Sequence, residues 1–146
     1  MASLTPPAEL DLRGTIIILP WPDPLVEAVG HDPRSPYVER FYLALLGPTL
    51  TFLLRRLADG LDAWPEGFET EAGALAESLG LGTAPTGRHG PFERAVQRAV
   101  RFGLARPHHG GIAVRRRLPP LSFRQIDRLP EALREAHRAL PDEQAA

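Results

Sequence analysis

The sequence predicts a mainly α-helical domain that carries a small β-hairpin towards its C-terminal end. Three observations lead there. Apolar residues recur at helical spacing in four successive segments between residues 36 and 105. In "LARPHHGGIAVRRRL" (104–118) two short strand-like runs meet across a glycine turn. The chain has 146 residues, 43% of them hydrophobic. That length can bury about two-thirds of its unfolded surface around a single core.

Taken in order, residues 1–13 are small, polar and proline-bearing and are expected to form a disordered tail. "TIIILP" (15–20) is a β-branched run closed by Pro20 and reads as a buried strand. "PWPDP" (20–24) is a stiff extended connector, because each proline fixes its own φ and pushes its predecessor away from the helical region. A short helical turn at 24–29 and a loop at 30–36 follow. Ser35 is placed to cap a helix with Pro36 at its first position, carrying Tyr37, Phe41, Tyr42, Leu45 and Leu46. Gly47-Pro48 ends that helix, and a second one runs to about Leu61 on Leu50, Leu53, Leu54 and Leu57. "DAWPEGF" (62–68) reads as loop, and Thr70 as the cap of a helix over 70–82 with Leu75 and Leu79 inward. After the turn "TAPTGRHGP" comes the clearest helix, 91–103, with Phe92, Ala95, Val96 and Ala99 on one stripe and Arg94, Gln97, Arg98 and Arg101 on the other. Ser122 caps a final helix that Pro130 must kink or split. Domain boundaries are therefore expected at 14–121, with 122–146 as a C-terminal helix and tail. The aromatic set Trp21, Tyr37, Phe41, Tyr42, Phe52 and Trp64 is expected in the core.

Charge is divided along the chain. Residues 1–85 hold five arginines against twelve acidic residues, and residues 86–138 hold twelve arginines against four. Such polarity points to an acidic half and a basic working face. There is no cysteine, which excludes disulfides and thiolate metal sites. No signal peptide is read at the N-terminus, and no apolar stretch reaches the roughly 18 residues of a membrane helix. A cytoplasmic, nucleoid-associated location without membrane contact is the corresponding expectation. His89, His108 and His109 read as turn histidines, so neither a metal nor a cofactor is expected. No nucleophile elbow, acid/base pair or glycine-rich nucleotide loop stands out, so no catalytic residue is assigned and a small hydrolase is the remotest reading.

Helix, helix, turn, helix, hairpin is also the order of a winged helix. The segment "LAESLGLGTAPTGRHGPFERAVQRAVRFGLAR" (75–106) resembles the core of bacterial winged helix-turn-helix proteins, in which a glycine after the recognition helix marks entry to the wing. The likeness extends over about residues 70–118 and departs from the family pattern in its longer turn at 83–90. The whole chain also looks like small actinobacterial proteins with an Arg-rich winged-helix end, a likeness that brings no function with it. The family resemblance implies double-stranded DNA as partner and transcriptional regulation as the role. Helix 91–103 would then read the major groove and the wing 104–118 would meet the backbone or minor groove. The candidate DNA-binding residues are Arg88, His89, Arg94, Gln97, Arg98, Arg101, Arg115, Arg116 and Arg117. "GRHGP" would offer a phosphate site at a helix N-terminus. Along the wing, Arg115 and Arg117 should face away from the core. Arg116 falls in the apolar register, which requires either a strand end near 115 or a snorkelling stem.

Rival readings stand beside these. The arginine triplet can instead be solvated, or paired with the acidic half of its own molecule. The fold can serve as a protein-interaction adaptor, its partner held by the acidic, aromatic N-terminal half. A homodimer is expected, its interface drawn from the aromatic helix 36–46 with its Gly47-Pro48 break and from the C-terminal helix, with Leu129, Leu133, Ala136 and Leu140 on one face; the alternative is that the C-terminal helix folds back onto helix 36–46 of its own chain.

Overall fold

The computed structural model describes residues 10–82 and 90–142. It is mainly helical, with a four-stranded mixed sheet. The strands are β1 (Thr15–Pro20), β2 (Phe68–Glu71), β3 (Ala105–His108) and β4 (Gly111–Val114), in the order β2-β1-β4-β3. The helices are α1 (Pro24–Val29), α2 (Leu43–Ala63), α3 (Ala72–Ser78), α4 (Pro91–Arg101), α5 (Phe123–Asp127) and α6 (Glu131–Arg138). A π-helical turn, Val38–Tyr42, leads directly into α2.

The run "TIIILP" forms the centre of the sheet. β1 pairs antiparallel with β2 and parallel with β4, so the hairpin β3–β4 belongs to a larger sheet than a two-stranded wing. Ile16 and Ile18 face the core and are essentially buried. Pro20 has no N–H to donate at the strand end, and Trp21 N–H bonds Val114 O at 2.9 Å instead. Gly111 is where β1 and β4 approach most closely: a Cβ there would lie 1.8 Å from Ile17 O, which no side chain can occupy.

The loop expected over 62–68 is found at 64–67, between α2 and β2, and β2 corrects the reading of Thr70 as a cap. "FETE" alternates half-buried and exposed residues against β1. Glu71 then caps α3, its carboxylate accepting from Gly73 N and Ala74 N. Between Tyr37 and Ala63 the helix is broken where expected. Gly47 adopts φ 79, which favours glycine, and Pro48 opens the next segment. Leu50, Leu53, Leu54, Leu57 and Leu61 line the core. By length and composition the run Val38–Ala63 could cross a membrane, contrary to the expectation that no stretch would. Its break at Gly47 and the packing of those leucines show the run used here as a core element.

Ser122 and Gln125 form a reciprocal capping box at α5, and Pro130 separates α5 from α6. α6 folds back onto the π turn, the alternative to a dimer face. His137 is buried there against Tyr37 and Phe41, and Leu129 joins the core. Leu133, Ala136 and Leu140, the other residues of the face expected for a homodimer, are half-buried against the same core. The same core cluster includes Leu12 at one end and Leu129 at the other. The polypeptide is therefore anchored before residue 14, and 122–142 is part of the domain rather than an appendage; residues 1–9 lie outside the described residues. Phe52 and Trp64 are 57% and 64% exposed, so the expected aromatic core is smaller than the set read from sequence.

Candidate nucleic-acid interface

α4 begins with Gly90 as cap and Pro91 at its first position, and its apolar residues recur at helical spacing. Phe92, Ala95, Val96 and Ala99 are buried against α2 and β3, as expected. This fixes the rotation of the helix. Arg94, Gln97 and Arg101 lie on its exposed side. Seven residues at 1.5 Å each put the ends of that stripe about 10 Å apart. Among the described residues, no carboxylate lies within ion-pair distance of Arg94 or Arg101. Gln97 Nε2 donates to Glu93 Oε1 at 3.2 Å.

Arg98 leaves this set. Its Nη2 donates to Leu45 O at 3.0 Å and its guanidinium lies over Phe102. Leu45 precedes the break at Gly47-Pro48, where the regular ladder of helix bonds is interrupted and carbonyls need other donors. Arg98 therefore joins α4 to the break in the preceding helix.

The triplet Arg115–Arg117 is also placed differently from the expectation. β4 ends at Val114, so the strand end near 115 is the alternative that holds. Val114 is the last residue with partners on both sides, Pro20 in β1 and Ala105 in β3. Beyond it Leu118 instead forms an isolated bridge with His31. The three arginines sit at the base of the hairpin, at the opposite end from its tip at His109-Gly110. Arg115 is only 15% exposed. It pairs with Asp23 at 2.7 Å, donates Nε to Gly103 O at 2.7 Å, and lies 3.9 Å over the Trp21 ring. Arg116 pairs with Asp62 at 2.9 Å, and Arg117 donates to Gly30 O at 2.9 Å. Pairing with the acidic half of the molecule compensates two of the three charges, Arg115 and Arg116, and a backbone carbonyl takes the third.

The acidic partners form one network. Arg34 bonds Asp32, Asp59 and Asp62, so Asp62 lies between Arg34 and Arg116. Hydrogen bonds from Arg34 hold the Asp32 and Asp62 carboxyls below the usual carboxylate range, and one from Arg115 does the same for Asp23. A cleft of about 420 Å³ is lined by this network together with Glu27 and Arg117. Its opposite charges largely satisfy one another.

The exposed tip of the hairpin carries His108 and His109, with Arg106 on β3 behind it. Arg106 lies 4.7 Å over Trp21 and, among the described residues, has no acidic partner. Sequence reading missed Arg106, although strand alternation sets it opposite the buried Ala105. Arg88 and His89 lie outside the described residues. Among the described residues, no group of three His, Asp or Glu could hold a metal ion. No protein-family model, curated protein or solved structure matches the chain.

Proposed function

We propose that the chain binds double-stranded DNA, as a winged-helix protein with α4 in the major groove and the hairpin tip on the adjoining backbone. The observation that carries this reading is the exposed stripe Arg94, Gln97 and Arg101 on a helix whose other face is locked into the core. Arginine and glutamine make bidentate contacts to guanine and adenine, so the stripe suits base edges as well as phosphates. The order α2-β2-α3-α4-β3-β4 supports it, with β1 inserted between the strands that flank it. Arg106, His108 and His109 replace Arg115–Arg117 as the wing contacts. Transcriptional regulation at the nucleoid is the role that goes with this reading.

Fluorescence anisotropy with a random-sequence duplex tests it. Binding should occur at low salt and weaken steeply as salt rises. Absence of binding at low salt overturns the reading.

One observation favours the protein adaptor instead. α1 buries none of its residues, and Leu25 and Val29, one turn apart on it, are 82% and 50% exposed. An adaptor would show no salt-dependent duplex binding.

A further inference from the structure

A second cleft, of about 430 Å³, lies where Ser35 and the helical segment that follows it meet His31 and Leu140, just past the end of α6. Its volume is in the range of small-molecule sites. The lining is mostly apolar and aromatic: Pro36, Tyr37, Phe41 and Leu140. The remaining lining residues are His31, Ser35 and Arg40.

Four features set this cleft apart. First, Arg40 is the only arginine and the only formal charge in the lining, and among the described residues it has no carboxylate partner. Its guanidinium lies over Phe41, 5.4 Å from the ring centre. Second, His31 Nε2 is buried with no hydrogen-bond partner, and it is the one such side-chain atom among the described residues. Buried polar atoms are otherwise almost always bonded, so this nitrogen calls for a partner such as a water, an ion or a ligand group. Third, Phe41 and Arg40 stand on the π turn Val38–Tyr42. Single π turns inside α-helices are rare and concentrate at functional sites. Fourth, the wall is fixed. His31 stacks on Tyr37 at 3.6 Å, and the Tyr37 hydroxyl is bonded to His137 Nε2 at 2.8 Å and accepts from Leu121 N at 3.2 Å. Ser35 Oγ accepts from Val38 N, which leaves its hydroxyl proton to donate.

We propose that this cleft binds a small monocarboxylate with an apolar body. The apolar part lies against Pro36, Phe41 and Leu140. The carboxylate takes Arg40 and the hydroxyl of Ser35, and the His31 ring forms part of the wall. With no acidic residue in the lining, a cationic ligand of the same shape has no partner. The proposal does not depend on DNA binding. Because the ligand touches both Leu140 and the first helix turn, it should also raise the resistance of the folded chain to heat.

The test is a titration of the full chain followed by NMR of its histidine ring and leucine methyl groups, with three probes of one shape: phenylacetate, phenethyl alcohol and phenethylamine. Phenylacetate should saturate, shift His31 and Leu140, and raise the melting temperature; phenethylamine should do neither. Arg40→Gln should weaken phenylacetate by about tenfold, the worth of a charge-assisted hydrogen bond, and leave phenethyl alcohol unchanged. Arg40 is exposed, so the variant should keep its fold. Three results would overturn the proposal. These are no saturable shift with phenylacetate up to about 10 mM, equal binding of acid and amine, or no effect of Arg40→Gln.

Discussion

Two pairs of arginines separate a DNA-facing role from a structural one. In Arg94→Ala/Arg101→Ala both side chains come from the exposed stripe of α4 and leave no acid unpaired among the described residues. Each phosphate contact releases about 0.9 counterion, so losing two should lower the slope of log affinity against log salt by about 2. Between about 50 and 200 mM salt, a fourfold change, the unmodified chain should then lose roughly twelvefold more affinity than the double variant. Stability should hardly move, because alanine is the better helix former and exposed substitutions usually shift stability by less than about 0.5 kcal/mol. In Arg115→Ala/Arg116→Ala the opposite pattern is expected. The slope should stay, since both groups are held by Asp23 and Asp62 at the base of the hairpin. The urea midpoint should fall, since the ties from the end of β4 to α1, to Gly103 and to the end of α2 are cut. The assay is anisotropy on a random duplex over a salt series, with urea melts of each variant beside it. A slope that falls for the Arg115/Arg116 pair and not for the Arg94/Arg101 pair would refute the assignment of α4 and return the contact to the triplet.

Three further outcomes are expected. Tyr37→Phe removes the hydroxyl that bonds His137 Nε2 and accepts Leu121 N, leaving two buried groups unpaired. The cost should be about 2–4 kcal/mol, or a melting temperature lower by about 5–15 °C, and an unchanged melt would show that α6 is not held this way. Acid should weaken the fold before any carboxylate titrates. Burial holds both His31 and His137 below the ordinary histidine value of 6.5. The unfolded chain therefore takes up protons first as pH falls through that value. Unfolding free energy should be level above about pH 8 and drop from there towards pH 5, by at most about 1.4 kcal/mol per pH unit for each histidine. Urea midpoints that stay flat across that range would contradict it. Light scattering at micromolar concentration should give a monomer, because α6 already packs against the π turn; a dimer mass would place a second interface elsewhere.

Much of the architecture was legible because local rules and packing agree there. Phe92, Ala95, Val96 and Ala99 mark one face of α4 by spacing alone, and that is the face found buried. Ser122 and Pro130 act at α5 and α6 as their chemistry requires. β2 was not legible, because "FETE" offers only two partly apolar residues and becomes a strand only through pairing with β1. Glu71, the last residue of β2, holds the capping role expected of Thr70 because α3 starts at Ala72, directly after it. The insertion of β1 between β2 and β4 left no local mark either, since a parallel partner about 95 residues away in sequence is set by the closed core and not by spacing.

The arginine triplet shows where reading charge along a chain fails. Three adjacent guanidiniums in a basic half suggest a polyanion. What they meet depends on which carboxylates the fold brings across, and those come from residues 23 and 62, far away in sequence. Asp23 also caps α1, so its position is set by helix geometry, and Asp62 stands on the last turn of α2. The acidic half is therefore partly a counterion for the basic half. Subtracting those pairs changes which cations are available to a partner. Arg115 and Arg116 drop out to carboxylates and Arg98 and Arg117 bond carbonyls, while in the region from α4 through the hairpin Arg94, Arg101 and Arg106 remain. Arg94 and Arg101 share one exposed stripe on α4, and Arg106 follows on the next strand. For a chain this close to neutral, the residues left over after internal pairing, and not the total charge, define the surface a nucleic acid could recognise.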